Sequence, residues 1–292
     1  MSSTEGARTI LESALRRGIG RPAARLSRIV AIAVLLGMAV SHLRWMIADW
    51  SLHDMNVYWD AAIRLRDGEP LYVAVNPLDV YRYAPWFAYA WVPLTYLPKP
   101  VVDVGWSVLL LVASALAIVP LIRIGTTPAL ILALLFGPLL FAISSIGNIQ
   151  PLMVLALTWG IPRRSGPVWI ALFASLKAVP LAFVLVYVAR REWVRVIVTV
   201  LLTAVLVAPI LAHEIPAEVL SPGDAAHLTP PVYLALAGAA GVAALVAAWK
   251  RSRWTPFLAA IAAVTGLPRL FMYEVSTLLV GTLGAIDDPP RR

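Results

Sequence analysis

Long apolar runs, separated by short polar stretches, dominate the chain. The run over residues 29–48 is near the ~20 residues that a helix needs to cross a hydrocarbon core of ~30 Å. It is too long for the apolar part of a signal peptide, so it predicts a retained first span. Comparable runs predict further crossing helices over 101–122, 128–144, 194–212 and 232–248. The pattern predicts an N-terminal tail (1–28), a membrane domain (29–285) and a C-terminal tail (286–292).

A more polar stretch, residues 49–100, follows the first span and is expected to be an external loop. Within it, apolar residues recur at helical spacing: Met55, Tyr58, Trp59, Ala62 and Leu65. This pattern predicts an amphipathic helix lying on the membrane surface and ending at Gly68 and Pro70. A second segment, 85–98, is too short to span. Its Trp and Tyr residues favour the membrane interface, so it is expected to lie flat or dip into the bilayer.

Basic residues flank the apolar run 167–189 on both sides, with Arg163 and Arg164 before it and Arg190 and Arg191 after it. Such clusters favour the cytoplasmic side, whereas a single crossing would place them on opposite sides. The conflict is resolved if the run is a hairpin of two short helices, broken at 177–180, because Pro180 cannot continue a helix. Lys177 is then expected at the apex, deep in the protein.

A similar hairpin is predicted near the end of the chain. There the apolar segments 254–266 and 274–285 flank a break at 267–269. In all, about nine to ten membrane segments are expected, several of them too short to cross alone. The predicted fold class is therefore all-α: a polytopic integral membrane protein, a helical bundle with short broken helices and an external amphipathic loop helix.

Composition supports this fold class and narrows the chemistry. The 292 residues are 60% hydrophobic and 14% charged, whereas soluble proteins carry about 25% charged residues. With no cysteine, thiol catalysis and Cys-ligated metal sites are excluded, and the histidines (His42, His53, His213 and His227) lack the spacing of a helical metal pair, so no metal and no cofactor are expected.

Charge points to the membrane rather than to nucleic acid. The net charge is +8. Residues 1–28 hold six arginines against two glutamates, and the remaining basic clusters flank apolar runs. The positive-inside rule explains this distribution and predicts a cytoplasmic N-terminus, so a lipid bilayer is the expected partner and nucleic acid is not.

Broken membrane helices are tolerated only where protein or water satisfies their backbone, so ionisable residues beside the breaks are the functional candidates. The candidates lie at the outer end of the first span, at the turn after the third span and at the two hairpin breaks. They are Asp54, Asn148, Gln150, Lys177, Arg269 and Glu274.

The segments around these positions resemble a known enzyme family, in the expected order from about residue 28 to 285. They are HDMNVYWDAA at 53–62, GEPLY at 68–72, YAPW at 83–86, GNIQ at 147–150, LKAVP at 176–180, PR at 268–269 and YE at 273–274. Together they are similar to the polyprenyl-phosphate-dependent glycosyltransferases of the GT-C superfamily, specifically family 87, which includes mannosyltransferases.

The resemblance implies transfer of a hexose, with mannose expected, from a polyprenyl-phosphate donor to a lipid or polysaccharide acceptor. The reaction is expected to invert the anomeric carbon on the external face of the plasma membrane. By analogy with the family, Asp54 is the general base, and Lys177 and Arg269 bind the donor phosphate. Asn148, Gln150, Tyr83 and Glu274 are assigned to substrate binding.

Other interpretations of these residues stay open at the level of sequence. Asp54 also suits an N-cap of the amphipathic helix, and Asp60 is a rival base that has Arg64 as an i,i+4 partner. Asn148 and Gln150 equally suit a satisfied polar turn. The aromatic residues Tyr58, Trp59, Tyr83 and Trp86 suit either a sugar platform or an interfacial belt. A transporter or lipid-binding protein, or an inactive relative, is the alternative function.

Overall fold

Helices form all the regular structure in the residues that the computed structural model describes, which are 25–44, 47, 52–73, 80–124, 127–220, 230–266 and 272–281. In chain order they are α1 (Arg25–Arg44), α2 (His53–Arg66), α3 (Pro85–Trp91), α4 (Lys99–Ile124), α5 (Thr127–Ser145), α6 (Gln150–Gly160), α7 (Gly166–Leu176), α8 (Val184–Arg190), α9 (Trp193–Val207), α10 (Ala217–Leu220), α11 (Pro230–Trp249) and α12 (Thr255–Thr265). Four 3₁₀ turns join them: Val92–Tyr96, Val179–Phe183, Ala208–Ala212 and Met272–Thr277.

Four of the helices in the described residues are long and apolar enough to cross a bilayer. They are Arg25–Arg44, Lys99–Ile124, Trp193–Ala212 and Pro231–Trp249. Their outer faces carry exposed aliphatic side chains, such as Val194 and Val205 on α9, which are 75% and 67% exposed. A water-soluble protein rarely leaves faces of this kind uncovered. The chain is therefore an all-α polytopic membrane protein, as its hydropathy predicts.

The centre of the bundle is built by pairs of neighbouring helices. α4 packs against α5 and α6, α7 packs against α9, and α11 packs against α12. Between α4 and α5, the hydroxyls of Ser114 and Ser144 are hydrogen-bonded at 2.9 Å, and both side chains are fully buried. Small hydroxyl residues of this kind let membrane helices approach closely and satisfy one another's polar atoms.

The segment between the two basic clusters is broken where the sequence predicts a break. α7 ends at Leu176, and Lys177 is extended (φ −137°, ψ 109°) before the 3₁₀ turn that contains Pro180. The Tyr187 hydroxyl then donates a hydrogen bond of 3.1 Å to the carbonyl of Ile161. Because residues before α7 contact residues of α8, the segment returns to the end of the bundle from which it started. The predicted hairpin is confirmed.

The last hairpin also closes on itself. Gly281 lies so close to α12 that a Cβ atom there would come within 2.6 Å of the carbonyl oxygen of Pro256 and 2.7 Å of the Ala260 Cβ. A side chain at 281 would therefore separate the two arms. The break predicted at 267–269 falls outside the described residues.

The predicted amphipathic helix forms, but protein and not lipid covers its apolar face. α2 ends at Arg66, and Met55, Tyr58, Trp59 and Ala62 are buried. The Tyr58 ring packs edge-on against Phe87 and is tilted against Trp91, with centroid distances of 5.0 and 5.6 Å. The aromatic segment 85–98 thus covers α2, because two apolar faces in the same loop bury each other.

Candidate active site

Five of the predicted site residues come together in one hydrogen-bonded chain. They come from five separate elements. Asp54 is in the first turn of α2, Asn148 in the turn between α5 and α6, Gln150 at the start of α6, Lys177 at the hairpin break and Glu274 in the last 3₁₀ turn. The breaks in the membrane helices are therefore what brings these side chains to one place.

Asp54 and Asn148 form the first link. The Asn148 Nδ2 donates to Asp54 Oδ2 at 2.5 Å, and the backbone N–H of Asp54 donates to the carbonyl of Ile146 at 2.9 Å. Gly147 makes this approach possible, because its φ of +79° is left-handed and a Cβ atom would come within 2.7 Å of the Met55 Cβ. α2 is thus held against the turn that carries Asn148.

Asp54 is not the N-cap of α2. The helix begins at His53 with Leu52 in the cap position, and no side chain makes a capping hydrogen bond there. The Asp54 carboxylate accepts its hydrogen bond from Asn148 instead. Burial raises the pKa of the Asp54 carboxyl above its ordinary value, and the hydrogen bond from Asn148 and the charge of Lys177 oppose that rise. The interpretation of this residue as a simple cap is therefore wrong.

Gln150 links the two halves of the site. Its backbone N–H donates to Asn148 Oδ1 at 2.8 Å. Its side-chain amide donates to the hydroxyls of Thr277 at 3.0 Å and Ser276 at 3.3 Å, and its Oε1 accepts from Lys177 at 3.4 Å. Gln150 is completely buried, so these contacts satisfy a polar group that would otherwise be costly.

Lys177 and Glu274 form a buried ion pair at the other end of the chain. The Lys177 Nζ lies 2.8 Å from Glu274 Oε1, and the two side chains are only 13% and 5% exposed. The ammonium also lies 5.3 Å from the centre of the Tyr273 ring, within cation–π range. Among the described residues, the second oxygen of Glu274 is buried and accepts no hydrogen bond. The pair thus retains one buried acceptor that no described residue satisfies.

Tyr83 belongs to the same site. Its hydroxyl lies 3.2 Å from that of Tyr58. Burial raises the pKa of the Tyr83 hydroxyl above its ordinary value, and Lys177, Asp54 and Glu274 all act on it electrostatically. Tyr58 itself is only 1% exposed, so it is part of the core and does not offer a sugar platform.

Two further candidates from the sequence are Asp60 and Arg269. Asp60 is exposed, and six residues of helix place it about 240° around α2 from Asp54. Arg269 falls outside the described residues. The site also contains residues that sequence reasoning did not single out: the hydroxyls of Ser276 and Thr277, the ring of Tyr273, and Ser175, which accepts a 2.9 Å hydrogen bond from the Trp86 indole.

An apolar cavity of about 720 Å³ begins beside the site. Ile149 and Leu176, the neighbours of Gln150 and Lys177, line one end, and Trp159 and Arg163 line the other. Its walls are aromatic and aliphatic side chains of α3, α6 and α7. The cavity therefore follows α6, and it is lined near the site by neighbours of the site residues rather than by the charged residues themselves.

Comparison with known proteins finds a similar family. The model of Glycosyltransferase family 87 matches residues 81–220, a stretch that includes Tyr83, Asn148, Gln150 and Lys177. Neither the curated proteins nor the solved structures contain a match to the chain. Members of this family transfer a sugar from a donor to an acceptor. With the bundle of membrane-spanning helices described above, the match, which covers just under half of the chain, supports a membrane glycosyltransferase similar to family 87.

Proposed function

We propose that this enzyme transfers a hexose, with mannose as the expected sugar, from a polyprenyl-phosphate donor to a lipid or polysaccharide acceptor. The observation that carries the proposal is a carboxylate and an ammonium at the two ends of one hydrogen-bonded chain, Asp54–Asn148–Gln150–Lys177. Sugar transfer from a phosphate needs both, since a base must take the acceptor proton and a cation must stabilise the leaving phosphate.

In the proposed reaction, the acceptor hydroxyl attacks the anomeric carbon from the face opposite the phosphate. Asp54 takes the hydroxyl proton as the new carbon–oxygen bond forms. The bond between the anomeric carbon and the phosphate oxygen breaks, and its electron pair stays on the phosphate. The products are an inverted glycoside and polyprenyl phosphate. Burial raises the pKa of Asp54, which makes its carboxylate a stronger base than an exposed one.

The phosphate is proposed to bind at Lys177. An ammonium has three N–H bonds, and two of them are directed at Glu274 and Gln150. The third is available to a phosphate oxygen without disrupting the ion pair. Arg269, which lies in the predicted break that precedes Glu274 in the sequence, is proposed as a second cation for the leaving group.

The lipid part of the donor is proposed to occupy the apolar cavity. Leu176, the chain neighbour of Lys177, lines this cavity, and Arg163 is the one charged residue among those that line it. A phosphate held at Lys177 would therefore place an attached hydrocarbon chain directly into this cavity. A nucleotide, by contrast, would find few polar partners there. This continuity between a cation and an apolar channel supports a lipid-linked donor.

The remaining polar residues are proposed to bind and orient the substrates. Glu274 presents its buried second oxygen to a sugar hydroxyl. Asn148 uses one N–H of its amide to hold Asp54, which leaves the other for substrate. Gln150 makes its contacts within the protein and is proposed to position Lys177, while the Tyr83 hydroxyl borders the substrate space. The site is proposed to face the external side of the plasma membrane.

The pH dependence of the reaction follows from Asp54. Because its pKa is raised and its base form is required, activity should fall on acidification at a pH above the ordinary range for aspartate. Replacing Asn148 with Leu removes the hydrogen bond that lowers this pKa, so the acidic limb of the kcat/KM profile should move to higher pH. An acidic limb that stays in place or moves to lower pH would contradict the assignment of the limb to Asp54.

The donor class is tested directly with radiolabelled sugars. Protein in nanodiscs is incubated with a membrane lipid extract and with polyprenyl-phosphate mannose, polyprenyl-phosphate glucose or a nucleotide mannose, with an Asp54→Asn preparation as the blank. We expect label to leave the polyprenyl-phosphate mannose and to appear in a lipid or polysaccharide product. Consumption of the nucleotide sugar alone would overturn the proposed donor.

A further inference from the structure

Three arginines from three separate elements line a second cavity of about 450 Å³, at the other end of α6 from the active site. They are Arg123 at the end of α4, Arg163 after α6 and Arg190 at the end of α8. α6 has 11 residues from Gln150 to Gly160, so this cavity lies about 16 Å away along the bundle. The proposed reaction does not use it.

The lining of this cavity combines concentrated positive charge with apolar walls. None of the residues that line it is acidic, and its walls include the buried side chains of Leu157, Phe183, Val186 and Val280. Arg163 is held at the rim, where it donates to the carbonyl of Trp159 and stacks on that ring at 5.2 Å. Basic residues that only mark a cytoplasmic loop point into water, and do not converge on an apolar recess.

A polar atom in the wall also lacks a partner. Among the described residues, the hydroxyl oxygen of Thr158 is buried without a hydrogen bond, and Thr158 lines the cavity. A hydroxyl between arginines is a suitable donor to a phosphate oxygen, and guanidinium groups bind phosphate through paired hydrogen bonds. Apolar walls beside the charged rim suit a phosphate that carries hydrocarbon chains.

We propose that this cavity binds the phosphate headgroup of an anionic phospholipid, in the leaflet opposite the active site. Arg123, Arg163 and Arg190 contact the phosphate, and the apolar wall contacts the upper part of the acyl chains. α8 and the end of α4 meet at this cavity, so a bound lipid would tie these elements together. Arg123 and Arg190 line only this cavity, whereas Arg163 also lines the apolar cavity proposed for the donor lipid.

The test measures binding of fluorescent phosphatidylglycerol to the full chain in detergent micelles. The variant is Arg163→Gln/Arg190→Gln, and the matched control is Arg164→Gln/Arg191→Gln, which removes the same charge from adjacent positions that do not line the cavity. Losing two charge-assisted contacts should weaken binding about tenfold or more. The control pair should stay within about twofold of the wild type, since Arg164 and Arg191 do not line the cavity.

Competition experiments distinguish the possible ligands. Phosphatidylcholine should compete poorly, because its choline offsets the phosphate charge, and inorganic phosphate should compete poorly, because it lacks hydrocarbon chains. An equal loss of lipid binding in both double variants would show attraction to net charge alone and overturn the proposal. Competition by inorganic phosphate as strong as that by the lipid would also overturn it. Thermal unfolding checks that the variants fold. If the double variant is unstable, the single Arg123→Gln variant, at an exposed helix end, takes its place and should bind the lipid several-fold more weakly.

Discussion

Replacing Asp54 with Asn is expected to reduce the rate of sugar transfer by ~10²–10⁴-fold, the usual loss on removal of a general base. Asn keeps the volume of Asp and still offers an oxygen to the Asn148 amide, which lies 2.5 Å away in the wild type. Its amide cannot accept the proton of the acceptor hydroxyl. The rate should therefore fall while the structure of the site is retained.

Stability should not fall with activity in this variant. The raised pKa means that folding disfavours the charged carboxylate, so Asp54 lowers stability once the pH exceeds its unfolded-state pKa, and the neutral amide removes that cost. Tm should be equal to or above that of the wild type. Asp60→Asn, which changes an exposed carboxylate on the same helix, is the matched control and should retain wild-type activity. Full activity in the Asp54 variant would remove it as the base.

Replacing Lys177 with Met is expected to have the second largest effect, on donor binding. Removal of one partner of a buried charge-assisted pair costs on the order of 2–5 kcal/mol, which corresponds to at least a tenfold weaker Kd for the donor. Met keeps the aliphatic stem. Lys177→Arg should recover part of the binding, because it restores the charge but presents a planar fork in place of a compact ammonium. The measurement is binding of a polyprenyl-phosphate analogue in nanodiscs.

The single Lys177 variant also leaves Glu274 as a buried, uncompensated carboxylate, which is destabilising. The double variant Lys177→Met/Glu274→Gln removes both charges and should recover much of the lost stability. It should not recover donor affinity, because the cation is still absent. Donor affinity that returns with stability in the double variant would show that Lys177 is structural and does not bind phosphate.

The sequence predicts the helix breaks well because they have local causes. Pro180 lacks the N–H that a helix needs, but α4 and α5 continue through Pro120 and Pro138, so it is the basic clusters on both sides that decide for a break. Lys177 and Glu274 could be chosen as candidates for the same reason, since charge beside a break in a membrane segment needs a partner. That these two residues are partners of each other could not be predicted, because the contact joins residues 97 positions apart.

Other features depend on contacts that no local pattern encodes. Periodicity predicts the apolar face of α2 but not what covers it, and the covering residues Phe87 and Trp91 lie in the next helix along the chain, α3. The partner of Asp54 is 94 residues away, so the local sequence suits a helix cap equally well. Ser276 and Thr277 have no charge and no distinctive spacing, so their contacts with Gln150 emerge only from the fold.

The central claim is that Asp54 acts on the acceptor and Lys177 acts on the donor, within one site. Single-turnover transfer, measured over a range of donor concentrations in nanodiscs, separates the two roles. The Asp54→Asn variant should keep the wild-type donor Kd and lose ~10²–10⁴-fold in the rate at saturating donor. The Lys177→Met/Glu274→Gln variant should show a donor Kd at least about tenfold weaker. An Asp54 variant with a wild-type saturating rate, or a Lys177 variant with a wild-type donor Kd, would contradict the account.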